Sequence, residues 1–345
     1  MKSAPAEVIM EGLNSSQAIS RLTSSVHPSV QYKVRLSVLG EDPDSDKMVK
    51  LQSTIRSSQL AKTLLSEKGR DGTIPFHPYG KYYGPHWVLT DLADLHYPPN
   101  DKSLIPLRTQ EYDWLFSKSH LETAPFSRSH SGTVFSPERP RIHASMEANA
   151  IFSLLRLGLN DEKTDELVGR LLKTQWPDGG WNCDRRPPPA KPVIASFHET
   201  ITPLRALALH AQTTNNSRSR EAARNAAEVF LKRRMYRRLS DGKIIENYFT
   251  KLHYPPYWHY DILFGLKVMA EAGFIKDERC DDALDLLESK RLKDGGFPAE
   301  AKYYHMQKKS RSGLSHFDWG GVSSTRMNEF VTADALYVLT AAGRI

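Results

Sequence analysis

Gln175-Trp176-Pro177-Asp178-Gly179-Gly180-Trp181-Asn182 follows a leucine-rich amphipathic stretch (Leu167, Leu171, Leu172), and Asp294-Gly295-Gly296-Phe297-Pro298 follows another (Leu284, Leu286, Leu287). In both places an Asp-Gly-Gly turn offers the positive φ that ends a helix, and an aromatic residue comes next. One structural event written twice is a repeat, and a repeat decides the architecture. Two plainer copies, Asp71-Gly72 after the leucines of 60–65 and Asp241-Gly242 after a stretch over 226–239, bring the turns to four. They are spaced unevenly, by 107, 63 and 53 residues from Asp71 to Asp178 to Asp241 to Asp294.

After each turn a connector rich in Pro, Tyr and Lys leads into a more apolar helix, predicted over 86–95, 197–211, 257–272 and 327–342. A fifth helix of this kind, over 143–158, lacks a turn before it, and an outer helix over 106–119 completes its unit. The unit thus reads outer helix, Asp-Gly turn, extended connector, inner helix. Five hairpins follow, preceded by one helix near residues 30–39. The stretch Phe330-Val331-Thr332-Ala333-Asp334-Ala335-Leu336-Tyr337-Val338-Leu339 is apolar nearly all round, which predicts burial on both sides. A ring would set it against the first unit, and closure removes the need for capping repeats that an open solenoid has. The expected fold is all-α: an α/α toroid of about five to six helical hairpins over residues 29–345, with 1–28 as a partly disordered extension.

The stretch over 175–181, with its echo over 294–297, resembles the repeat of squalene and oxidosqualene cyclases, shared in looser form by protein prenyltransferase β-subunits. The resemblance covers residues 51–345 as architecture and implies inner helices around a central cavity. Its motif ties outer helices together and carries no chemistry. Class II terpene cyclases protonate their substrate with an Asp-x-Asp-Asp motif, which does not occur in this chain. Prenyltransferase β-subunits hold zinc with Asp, Cys and His; His198 falls near the family's His, but the Asp-x-Cys partner is missing. Asp281-Asp282-Ala283-Leu284-Asp285 has the form of a magnesium-diphosphate motif, yet it opens an outer helix, where acids complement the macrodipole and face solvent.

The 345 residues carry 39% hydrophobic and 10% aromatic side chains, enough for a large core, with no apolar run of the ~18 residues a membrane span needs. No basic region followed by an apolar one marks the N-terminus for secretion, and Cys183 and Cys280 fit a reducing compartment, so the cytoplasm is the expected location. The formal charge of +7 points only weakly to an anionic ligand. The basic run over 232–238 reads as the solvated end of an outer helix, and no nucleic-acid motif accompanies it.

Chemistry is expected where connectors deliver the inner helices. Four of these open with histidine (His86, His143, His198, His259) and the fifth with Arg326-Met327-Asn328-Glu329. Parallel inner helices in a ring would aim all five N-termini at one mouth. Carboxylates follow closely: Asp91, Asp94, Glu147, Glu199, Asp261, Glu329 and Asp334. A helix N-terminus favours an ionised acid and a neutral imidazole, which is the equipment of acid-base catalysis. The same residues also serve as ordinary caps. The catalytic set expected is His86, Glu147, His198, Glu199, His259, Asp261 and Glu329, with Trp87, His143, Trp258, Tyr260 and Trp319 binding substrate.

No cofactor is required by the sequence. No short-spaced ligand pair announces a metal, though a divalent ion held by Cys183, Asp184, His198 or His259 through the fold is compatible with it. Two loops, over 120–141 and 184–192, are expected to cover the mouth. Three functions fit: an enzyme acting on a small or isoprenoid-like molecule by His and carboxylate chemistry, a carbohydrate lyase or hydrolase, or a silent ligand- or partner-binding scaffold. Oligomeric state is open.

Overall fold

The computed structural model describes residues 6–121, 143–184, 193–307 and 311–345, with side chains from residue 15 onward. Its helices in chain order are α1 (Ala6–Thr23), α2 (Pro28–Ser37), α3 (Asp46–Ser57), α4 (Gln59–Leu64), α5 (Pro85–Asp94), α6 (Ile105–Leu115) and α7 (Lys118–Leu121). They continue as α8 (Ala144–Arg156), α9 (Glu162–Thr174), α10 (Phe197–Thr214), α11 (Ser217–Leu231), α12 (Ile262–Glu271), α13 (Asp281–Glu288) and α14 (Glu329–Ala342). Only two isolated β-bridges interrupt this pattern among the described residues, so the chain is all-α. It divides into two compact units. The first comprises Met1–Ser66, Asp94–Pro98 and Leu231–Ile345; the second comprises Glu67–Ala93 and Pro99–Phe230.

All four Asp-Gly turns form, and with one local design. Gly72, Gly179, Gly242 and Gly295 have φ of 82°, 98°, 69° and 79°, the left-handed region that a side chain resists. The preceding aspartate accepts from the amide two residues on: Asp71 from Thr73, Asp178 from Gly180, Asp241 from Lys243, Asp294 from Gly296. In three copies the loop is closed by the same pair of backbone bonds. Trp176 N–H donates to Gly180 O and Gly179 N–H to Trp176 O; Leu292 with Gly296 and Gly295, and Gly69 with Thr73 and Gly72, repeat this. The copy at Asp241 carries one residue more, its closing bond running from Arg238 to Lys243.

The two strongest copies share a further device. Thr200 Oγ1, one turn into α10, accepts from Trp181 N–H at 3.0 Å and donates to Trp181 O at 3.2 Å. Thr332 Oγ1, one turn into α14, does the same with Phe297 at 2.9 and 3.1 Å. One hydroxyl thus satisfies both backbone groups of the buried aromatic after the turn and fixes the connector to its inner helix. Thr200→Val and Thr332→Val keep the shape and orphan two buried groups, so each is expected to lose about 1–3 kcal/mol in urea unfolding, with Ser restoring most of it. The second glycine is a close-approach residue: a Cβ on Gly180 would lie 2.4 Å from Ala195 Cβ, and one on Gly296 2.4 Å from Met327 Cβ.

In the second unit α8 packs along α10 and on α9, and the core is built from Phe152, Leu167, Leu171, Trp181, Leu204 and Phe230, all nearly or fully buried. In the first unit α14 is buried from Phe330 to Leu336, and it packs on α12, on α2 and on α1. The helix is buried on both sides, as its all-round apolar pattern predicts, and it meets the N-terminal helices α1 and α2.

Three boundaries differ from expectation. The inner helix read over 257–272 begins only at Ile262, because Asp261 caps it by accepting from Phe264 N–H at 2.7 Å; residues 257–261 belong to the connector. The outer helix over 106–119 is interrupted at Phe116 and Ser117, giving α6 and α7. The basic run over 232–238 does not close a helix: α11 stops at Leu231, and Arg234 and Met235 turn away at φ of 43° and 70°. Asp281 and Asp285 pair with Arg344, and Asp282 with Arg234 and Arg237, so the Asp-Asp-x-x-Asp stretch is neutralised within its own unit.

Candidate metal centre and its acid-base surroundings

The second unit brings His143, Cys183 and Glu199 together, with one ligand-type atom from each lying within 4.8 Å of the others. Three local features place them. His143 is the N-cap residue of α8, Cys183 lies in the connector two residues beyond Trp181, and Glu199 stands in the first turn of α10. The packing of α8 on α10 supplies the rest. Ser145 N–H, in the first turn of α8, donates to Glu199 Oε2 at 3.0 Å, so the positive end of that helix aims the carboxylate. The other oxygen, Oε1, faces His143 Nδ1 at 3.9 Å and Cys183 Sγ at 3.9 Å. Burial opposes protonation of His143, but Cys183 and Glu199 outweigh it and pull its pKa up to about 9.

Nitrogen, sulfur and carboxylate oxygen converging on one point is a donor set for a d¹⁰ divalent ion, and three protein ligands leave a fourth position open, as in catalytic zinc sites. Glu199 is almost wholly buried, whereas His143 and Cys183 are partly accessible, which gives an ion or substrate a side of approach.

Around this trio lies a buried acid-base cluster. Tyr79 feels both Glu199 and Cys183, and its phenol is held protonated, by burial first and by these two groups second. Its ring sits 5.8 Å from His86 and 5.8 Å from Trp114, and Trp87 Nε1–H donates to its backbone carbonyl. His86 Nδ1 meets Glu111 Oε1 at 2.7 Å with both side chains fully buried. Glu147 is held by Arg170 at 2.9 Å and approached by His120 at 3.6 Å. Among the described residues, His86 Nε2, Glu111 Oε2, Glu147 Oε2 and Ser145 Oγ are buried with no hydrogen-bond partner. Each such atom costs about 1–3 kcal/mol when nothing meets it, so the region favours any group, water included, that can pair with them.

Of the sequence-expected residues, His86, Trp87, Glu147, His143 and Glu199 fall in this cluster. His198, half-buried on α10, is the helical neighbour of Glu199 and points a different way round the helix. The remaining six lie in the first unit. Asp261 caps α12 and meets His253 Nδ1 at 2.8 Å; Tyr260 is fully buried and donates to Met235 O. His259 stacks on Tyr303 at 3.7 Å, and Trp258 sits edge-on to His259. Trp319 is buried against Phe317, Phe330 and Tyr254 and donates to Ser315, while Glu329 accepts from Ser25. Tyr79, Glu111, Trp114 and His120 escaped sequence reading, since single residues in a connector or on outer helices carry no periodic signal. The loop expected over 120–141 lies mostly outside the described residues, as does most of that over 184–192.

His253 gives the first unit a pH dependence. Burial lowers its pKa, but the Asp261 charge and hydrogen bond outweigh that and raise it above the usual imidazole value. The imidazolium-carboxylate pair therefore contributes its full stability below about pH 6.5 and loses it as pH rises through the folded value. The midpoint difference between wild type and His253→Gln in urea unfolding is expected to be largest at pH 6 and to shrink toward pH 9.

Comparison with protein-family models finds none that matches this chain, and none of the curated proteins matches its sequence, so its functional reading rests on residues and geometry.

Proposed function

We propose that the chain is a metal-dependent enzyme on an α/α toroid of the terpenoid cyclase and prenyltransferase kind, acting on a small or isoprenoid-like substrate at the His143–Cys183–Glu199 site. The single observation that carries the reading is that trio, with its carboxylate anchored by a helix-end amide. A bound divalent ion would supply Lewis acidity or an activated water at the open position. Tyr79 and Trp114 offer an aromatic wall beside it, and the His86–Glu111 pair offers a buried base. The four orphaned polar atoms speak against a silent scaffold, which gains nothing from burying them. The missing Asp-x-Asp-Asp motif speaks against protonation-initiated cyclisation.

The test is metal analysis of protein purified from its host, with mass spectrometry of co-purifying small molecules and a turnover screen of prenyl diphosphates with and without added zinc. Near-stoichiometric metal and metal-dependent turnover lost in Glu199→Gln are expected. Metal-free protein that turns over a substrate equally well with and without chelator would refute the reading.

A further inference from the structure

A cavity of about 250 Å³ lies in the first unit, well apart in sequence from the trio, between α1 and the segment that enters α14. Its walls include Arg21, Asp294, Gly320, Gly321, Ser323 and Arg326. The entering segment is Gly320-Gly321-Val322-Ser323-Ser324-Thr325-Arg326, and it is shaped by two consecutive left-handed glycines, with φ of 99° and 65°. Its backbone is pinned from both ends: Ser323 N–H donates to Ala299 O, and Ser323 Oγ accepts from the amides of Thr325 and Arg326.

Counting donors against acceptors decides what fits there. Asp294 is the acid on the wall, and it is already engaged, with Gly296 N–H at 3.1 Å and with Arg21 at 3.5 Å. Ala299 O is used by Ser323, and Asn328 is used on both sides, its oxygen by the Phe330 and Val331 amides and its amide by Trp319 O. Among the lining side chains, what is left over donates. The Arg326 guanidinium makes no hydrogen bond or ion pair among the described residues, Arg21 has a single long pairing, and the Ser323 and Thr325 hydroxyl protons have no acceptor there. Two guanidiniums against one carboxylate leave the cavity with a net positive charge. A donor-rich, positively charged recess calls for a ligand with several acceptor oxygens and negative charge, and guanidinium forks suit the tetrahedral oxygens of phosphate. The volume exceeds one phosphate group and leaves room for a second or for a short organic stem.

We infer that this recess binds the phosphate or diphosphate group of a small phosphorylated molecule, held by Arg21 and Arg326 with the Ser323 and Thr325 hydroxyls. It stands independently of the metal-centre proposal, since none of its residues belongs to the second unit.

The test titrates the full chain with inorganic pyrophosphate and inorganic phosphate by calorimetry, in wild type and in Arg326→Gln, Arg21→Gln and Arg224→Gln. Arg224 is an exposed arginine of α11 and controls for general charge. Saturable pyrophosphate binding is expected, weakened about tenfold or more by either of the first two substitutions and by less than about twofold in the control. No saturable binding, or equal weakening in all three variants, would overturn the site. A separate arm uses vesicles containing phosphatidic acid: co-sedimentation that free pyrophosphate does not reverse would replace the small ligand by a lipid headgroup and overturn the inference as stated. All three arginines are largely exposed, so the variants are expected to fold, and circular dichroism checks this.

Discussion

Cys183→Ser is expected to abolish the thiolate-to-metal charge-transfer absorption of the cobalt-substituted protein and to lower zinc affinity by more than the roughly 10–100-fold that loss of an outer hydrogen-bond partner costs. The reason is chemical. A serine hydroxyl stays protonated near neutral pH and is a far weaker ligand than a thiolate, while its size leaves the connector undisturbed. His143→Ala should weaken zinc comparably. Glu199→Gln should do so while keeping the hydrogen bond from Ser145 N–H, because the amide oxygen can accept in place of Oε2. Because each ligand must be deprotonated to bind, affinity in the wild type should rise with pH and binding should release protons. Zinc content and cobalt spectra unchanged in Cys183→Ser and His143→Ala would remove the metal centre, whatever activity the chain is found to have.

The second large effect is on stability and lies in the first unit. Lys33, Lys267, Asp94 and Asp334 are all buried and form a closed four-charge ring. Lys33 meets Asp334 at 2.7 Å and Asp94 at 3.6 Å; Lys267 meets Asp94 at 2.7 Å and Asp334 at 3.1 Å. Tyr254 Oη–H donates to Asp94 as well. The ring joins α2, the end of α5, α12 and α14, and its charges cancel. Asp334→Ala leaves two buried ammonium groups to share one carboxylate, which should cost about 3–5 kcal/mol in urea unfolding. Lys267→Met with Asp334→Leu removes one charge of each sign, and it should recover most of that loss, since a buried pair replaced by apolar groups of similar volume is often neutral. A strongly non-additive double-mutant cycle is the expected result; additive effects would mean that the ring does not act as a unit.

Asp94 and Asp334 show what the sequence leaves out. Both are conspicuous acids on inner helices, noted among the carboxylates near the helix starts but outside the expected catalytic set. Their partners, Lys33 and Lys267, lie on two other helices, and no local pattern pairs them. Asp261 is similar: the acid before an apolar helix turned out to be its cap, which moved the helix start to Ile262 and left His259 and Trp258 in the connector. His143 and Glu199 were recognised individually as groups at helix starts. Their meeting with Cys183 depends on how α8 lies against α10 and on the path of the connector after Trp181.

What the sequence determined by itself is whatever acts over one or two turns of chain. Amphipathic periodicity specified most of the outer and inner helices, though not α1 or α3, Asp-Gly pairs specified four left-handed turns, and the apolar character of residues 330–339 specified a helix buried on both sides. Each of these is fixed by φ, by a hydrogen bond within a few residues, or by the hydrophobicity of one face. Tertiary structure alone decided which distant polar groups share a buried space: the trio at His143, Cys183 and Glu199, the orphaned atoms around it, and the ring of lysines and aspartates. Those groupings follow from helix packing, where the energy of a charge depends on a partner that the local sequence does not name.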